Sequence, residues 1–259
     1  MPITDKSIEL TSKDSHKLGA YVVHPEKNKK GNIVIIQEIF GITEHIEAVC
    51  KQYANQGYSV IAPALYDRFE KNIVLDYSQI EEGKSFKEKL EINDAMKDIN
   101  AAILFNDGPT AIIGYCYGGM LTHIAASELE SVCAVSYYGG FIAEKYLDKK
   151  PQCPIMYHFG EQDFAIPMTS VDLIKQHYPE AIITVRKAGD NPVEYFIITM
   201  TDVLVTSIST GGSGGEDRLT ENVSLNFAKV KIEYTPQGKD GSAGASVETA
   251  FNIEENTAM

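Results

Sequence analysis

Cys116 stands in the run PTAIIGYCYGG, framed by Gly114, Gly118 and Gly119. A thiol in Gly-x-Cys-x-Gly-Gly, after an apolar strand-like run and before a helix-like segment, has the spacing of a nucleophile elbow with cysteine in place of serine. The chemistry such a frame serves is covalent. A thiolate attacks a carbonyl carbon, the glycines permit the tight turn, and the following helix N-terminus lowers the thiol pKa. An elbow also requires a carboxylate and then a histidine further along the chain. Asp163, in HFGEQDFAIP just past another apolar run, occupies the acid's place. An aspartate that only caps a loop ahead of a helix has the same signature. Glu38 ends the run GNIVIIQE, where a strand buried on both faces rarely holds an unpaired charge. The backbone N–H groups of Ile39 and Tyr117 lie where an oxyanion hole draws its donors. The other cysteines, Cys50, Cys133 and Cys153, sit in apolar runs and read as small core residues.

The elements that must position these groups follow from periodicity. From Ser7 to about Gln176, strand-like and helix-like segments alternate, which implies an α/β domain with a mostly parallel sheet covered on both faces. HIEAVCKQYANQG has helical spacing with Gly57 as its stop, and EINDAMKDINAAILF and GGMLTHIAASE are further helices. DRFEKNIVLDYSQIEEGKSFKEK reads as a charged surface stretch. After about Gly189 no amphipathic helix recurs, and β-branched and aromatic residues dominate. NVSLNFAKVKIEYTP alternates with a one-residue slip, which predicts a β-bulge near Ala228. TGGSGGEDR lacks the GK[ST] of a phosphate loop and reads as a hairpin connection, and TPQGKDGSAGASVET reads as loop. The expected division is an α/β domain over 1–183 and an antiparallel β segment over 184–259.

Composition narrows the function. A net charge of −13 argues against a nucleic-acid partner. No apolar run approaches membrane-spanning length, and the polar start MPITDKSIELTSKDSH lacks a signal-peptide core. Four irregularly spaced cysteines without a CxxC pair point to reduced thiols, a cytoplasmic setting, and neither a metal site nor a cofactor.

QEIFG, GYCYGG, YYGG and HFGEQD with its following IP together resemble the dienelactone hydrolase family, over about residues 7–183. The resemblance implies an α/β-hydrolase fold that opens lactones or carboxylic esters, small molecules, through a Cys–His–Asp triad. It implies Cys116 as nucleophile, Asp163 as acid, Glu38 as the carboxylate that helps form the thiolate, and Ile39 and Tyr117 as the oxyanion hole. Arg68, in LYDR, matches the arginine expected beside the substrate. The family's histidine should follow the strand AIITVRKAG, yet Asp190-Asn191-Pro192 stands there and no histidine follows His177. From about His177 onward, above all in STGGSGGEDRLTENV, the chain instead resembles the C-terminal half of the haemolysin-coregulated (Hcp) family of type VI secretion tubes. That implies self-association through the β segment, and secretion without a signal peptide as the alternative location. Three readings follow: a hydrolase impaired by loss of its base, a tube or interaction protein, and a chimera without function.

Overall fold

The computed structural model describes residues 2–27, 29–178, 180–186, 194–201, 203–211, 220–237 and 242–259. The chain divides into two units, Met1–Val171 and Asp172–Met259.

The first unit is built on seven strands: β1 (Ile3–Thr11), β2 (Lys17–Pro25), β3 (Gly31–Ile36), β4 (Tyr58–Pro63), β5 (Thr110–Tyr115), β6 (Ala134–Tyr137) and β7 (Ile155–His158). Their order across the sheet is β1-β2-β4-β3-β5-β6-β7. The β1–β2 and β2–β4 pairs are antiparallel and every later pair is parallel, the mostly parallel sheet that the alternation predicts. The central strands are apolar on both faces because both are covered. One face, with Val23, Ile33, Ile35, Val60 and Ile113, packs on Ile46, Val49 and Cys50 of α1 (Glu44–Asn55). The alternating residues Val22, Val34, Ile61 and Ile112 are fully buried as well. Helices α3 (Ile92–Phe105) and α4 (Tyr117–Glu128) pack on each other, and α4 also lies on β5 and β6. Helix α4 is buried from Tyr117 to Ser127, and two of its polar side chains inside are bonded, His123 to Tyr157 and the Tyr146 carbonyl and Ser127 to the Ile124 carbonyl. Thr43 caps α1 by accepting from the Ile46 N–H, and Gly57, at φ +99°, stops it.

The charged stretch after Arg68 contains a helix that its composition hides, α2 (Ile80–Lys89), in which only Gly83 is buried. The segment IAEKYLDKK forms a short π-helical turn, Ile142–Tyr146.

The second unit holds most of α5 (Met168–His177), then β8 (Glu180–Arg186), β9 (Glu194–Thr201), β10 (Leu204–Gly211), β11 (Thr220–Asn226), β12 (Lys229–Tyr234), β13 (Val247–Asn252) and β14 (Thr257–Ala258). Five of these form an antiparallel sheet in the order β14-β13-β12-β9-β8, and β10 pairs with β11 separately. The strand AIITVR lies within β8, in the second sheet. It pairs antiparallel with β9 in a continuous ladder from Glu180↔Thr201 to Val185↔Phe196.

The slip of phase near Ala228 is a change of sheet and not a bulge. β11 pairs with β10, whereas β12 pairs with β9 and β13. Ala228 is the buried joint: its N–H donates to the Thr201 carbonyl at 3.0 Å and its carbonyl accepts from Ile253 at 2.8 Å. Bulges occur instead between Val185 and Arg186 and between Val205 and Ser207. The polar tail expected as loop enters β13 at Val247, because a ladder to β12 satisfies its backbone whatever its side chains. Most of the glycine-rich loop, at 212–219, lies outside the described residues. Among the described residues, no helix is long and apolar enough to cross a membrane.

Candidate active site

Cys116 follows β5 and caps α4 at φ +56°, ψ −116°, a conformation that strains any residue with a Cβ. The turn closes because its neighbours have none. A Cβ on Gly118 would lie 2.4 Å from the Ile36 carbonyl oxygen and 2.5 Å from that of Gln37, and one on Gly114 would lie 2.0 Å from the Gly118 oxygen. The backbone is pinned on both sides: Cys116 N–H donates to the Tyr137 carbonyl at 3.0 Å, and its own carbonyl accepts from Gly119 at 2.9 Å. Tight packing of a strand, a turn and a helix is thus what displays the thiol.

The field at the thiol differs from the sequence expectation. Burial pushes its pKa above the ordinary thiol value, the negative charges of Glu38 and Asp163 add to that, and the Tyr117 N–H and the Lys87 ammonium oppose it. The helix N-terminus acts in the expected direction through Tyr117, but desolvation outweighs it. Cys50, on the buried face of α1, is pushed up to about 12 by burial, as a core cysteine should be.

Glu38 is buried at the end of β3 and its carboxylate is fully engaged. Tyr77 OH donates to one oxygen and Tyr138 OH to the other, each at 3.1 Å. Those two phenols are site residues that sequence reasoning missed. Tyr138 belongs to the YYGG run and takes φ +40°, and the following glycine pair was the available signal. Asp163 lies in the loop after β7, where its Oδ1 accepts from Ala165 N–H at 2.8 Å and Ile166 N–H at 3.2 Å. It caps that loop while contributing charge at the thiol. Ile39 is half-buried beside Glu38, and Tyr117 opens α4.

Arg68 is engaged otherwise than in the expected substrate contact. It makes a two-pronged pair with Asp98, both bonds 2.7 Å, and reaches Asp14 at 3.1 Å and Asp94 at 3.6 Å. Asp98 is wholly buried in α3, so the arginine clamps α3 to the β1–β2 hairpin.

Five of the six histidines carry other duties, and the sixth, His16, has a buried Nε2 with no hydrogen-bond partner among the described residues. Tyr115, Tyr137 and His158 are register neighbours on three parallel strands, and their rings stack at 4.8 Å and 4.5 Å. His45 meets Tyr115 edge-on at 5.8 Å. His123 bonds Tyr157 OH at 2.7 Å and the Tyr146 carbonyl at 2.9 Å, His24 bonds Ser59 at 2.8 Å, and His177 packs edge-on against Tyr178. Positions 187–193, where the family base would fall, lie outside the described residues and contain no histidine.

A parallel sheet with a strained cysteine elbow between β5 and α4 is the architecture of an α/β hydrolase. Residues 18–186 match the Dienelactone hydrolase family, and the chain belongs to that family. Residues 168–234 match a second family, "Type VI secretion system effector, Hcp". The two matches overlap over 168–186, the α5–β8 segment, which explains why one strand reads equally well as the end of either fold. The carboxymethylenebutenolidase of Pseudomonas putida is 32% identical over 184 residues, 67% of this chain and 78% of that protein. Protein hcp1 of Pseudomonas aeruginosa is 60% identical over 83 residues, 31% of this chain, and the chain spans only 51% of that protein's length. A solved Klebsiella pneumoniae protein assigned to the dienelactone hydrolases superposes with a TM-score of 0.60 at 26% identity, over 68% of this chain and 80% of that one.

Proposed function

We propose that the chain is a carboxylic-ester or lactone hydrolase that acylates Cys116 readily and deacylates it poorly. The observation that carries this reading is the strained Cys116 turn with the Tyr117 N–H directed to the sulfur. In the reaction, the Cys116 thiolate attacks the ester carbonyl and the oxyanion rests on the N–H groups of Tyr117 and Ile39. The alkoxide leaves with a proton from solvent, and the acyl group stays on sulfur. Glu38 lies beside the thiol as the carboxylate that takes its proton. Deacylation requires a base for the attacking water, normally an imidazole ordered by the Asp163 carboxylate. The imidazoles of His24, His45, His123, His158 and His177 are committed to stacks and hydrogen bonds of their own, and no histidine follows His177. The test is an intact mass after incubation with an activated ester. A persistent acyl adduct, lost in Cys116→Ala, is expected. An unmodified protein that nonetheless releases alcohol at the same rate in Cys116→Ala would sink the reading.

A second reading has its own support: among the described residues β8 and β14 are the unpaired edges of the second sheet, and the segment is closely similar to hcp1. Exposed strand edges pair with other chains. On this reading the chain self-associates and travels by type VI secretion instead of remaining cytoplasmic. Light scattering that finds only monomer across concentration excludes it.

A further inference from the structure

Lys87 has no role in the reading above, yet it stands at the elbow. Helix α2 is pressed onto the backbone beside Glu38, since a Cβ on Gly83 would lie 2.7 Å from the Ile39 carbonyl oxygen. Lys87 is four residues further along α2, so it shares that face of the helix. Its Nζ lies 4.2 Å from the centre of the Phe141 ring and 5.8 Å from that of Tyr117, the residue next to the nucleophile. Phe141 itself is held at φ +65°, and Lys145 approaches the same ring at 5.1 Å. An ammonium seated on ring faces is half-desolvated but keeps its charge.

We propose that Lys87 is the counter-ion of the Cys116 thiolate, taking the place in the charge balance that an imidazolium holds in a complete triad. This rests on Cys116 being the nucleophile. The thiol proton passes to Glu38 as above and Lys87 keeps its own, so Lys87 is a positioning residue that acts through the sulfur. The groups facing the thiol are Glu38 at the end of β3, Asp163 after β7, Lys87 on α2 and the phenols of Tyr66 and Tyr138. Both carboxylates oppose the thiolate, and Lys87 favours it. Around Lys87, Lys84 and Lys145 disfavour its charge while Cys116 and Glu88 favour it. Burial disfavours the charged form of each partner, so forming the pair relieves both.

The test is alkylation of Cys116 by neutral iodoacetamide from pH 6 to 10, followed by peptide mass, with Cys116→Ala marking the site. In Lys87→Met the midpoint is expected to rise by about one unit, which slows alkylation about tenfold below the midpoint, and Lys87→Arg is expected to stay near wild type. Lys87→Gln replaces Lys87→Met if the latter fails to fold by circular dichroism. An unchanged midpoint in the folded variants overturns the proposal. So does a change seen with iodoacetate alone, since Lys87 would then act on the reagent's charge and not on the thiol. If wild-type Cys116 stays unalkylated across the range while Cys133 and Cys153 react, the nucleophile reading itself falls.

Discussion

The two units solve the problem of burying a sheet in different ways. In the first, β3 and β5 each have strands on both sides, and side chains such as Ile35, Ile61, Ile112 and Leu121 are fully buried. In the second, the sheet is a row of antiparallel neighbours, and among the described residues Tyr234, Val247, Phe251 and Ile253 are exposed. The first unit can therefore store strain at Cys116, because the surrounding packing over-determines the turn. The second offers backbone ladders and, among the described residues, strands at each edge without a neighbour, which suit pairing more than catalysis.

That contrast can be broken or sharpened by substitution. The largest effect is expected at the Arg68 clamp. Arg68→Ala leaves the buried Asp98 carboxylate unpaired, at a cost of about 3–5 kcal/mol in denaturant unfolding of the first unit. Replacing Arg68 and Asp98 together by leucine should recover much of that loss, and no recovery would mean the clamp acts by shape instead of charge. Leu121→Ala should cost about 2–5 kcal/mol by opening a cavity in α4. Gly118→Ala should cost about 1–3 kcal/mol and disable the elbow, since its Cβ meets two rigid carbonyls. Val247→Ala, 66% exposed on β13, should change stability by no more than about 0.5 kcal/mol. Equal losses at Leu121 and Val247 would erase the distinction between the units.

The smallest effect is one of pH. Burial depresses His24 and His158 below their ordinary value of 6.5, so the folded chain resists protonation more than the unfolded one. The stability they lend is present above about pH 6.5 and is lost as pH falls through their folded values. Thermal melts should show a modest decline there, attenuated in His24→Gln.

Much of the first unit was legible because its constraints are local. Glycines at 114, 118 and 119 record a turn that excludes Cβ atoms, and continuous apolar runs record strands covered on both faces. What stayed hidden depends on distant partners. Tyr77 and Tyr138 reach Glu38 from 39 and 100 residues away. The aspartates that pair with Arg68 sit on other segments, so the sequence offered only the contact that the family resemblance implies. Helix α2 buries only Gly83, so its spacing carried little apolar signal. The strand β8 fits either sheet by its residues, and its antiparallel neighbour β9 decided which.

The central claim is that the elbow is competent for acylation while the base for deacylation is missing. Stopped-flow release of p-nitrophenolate from a p-nitrophenyl ester tests it most directly, with and without added imidazole. The account predicts a burst equal to the chain concentration, abolished in Cys116→Ala, then a slow phase that imidazole accelerates. Steady turnover without a burst, insensitive to imidazole and lost with Cys116, would show that a base is already in place and would contradict it.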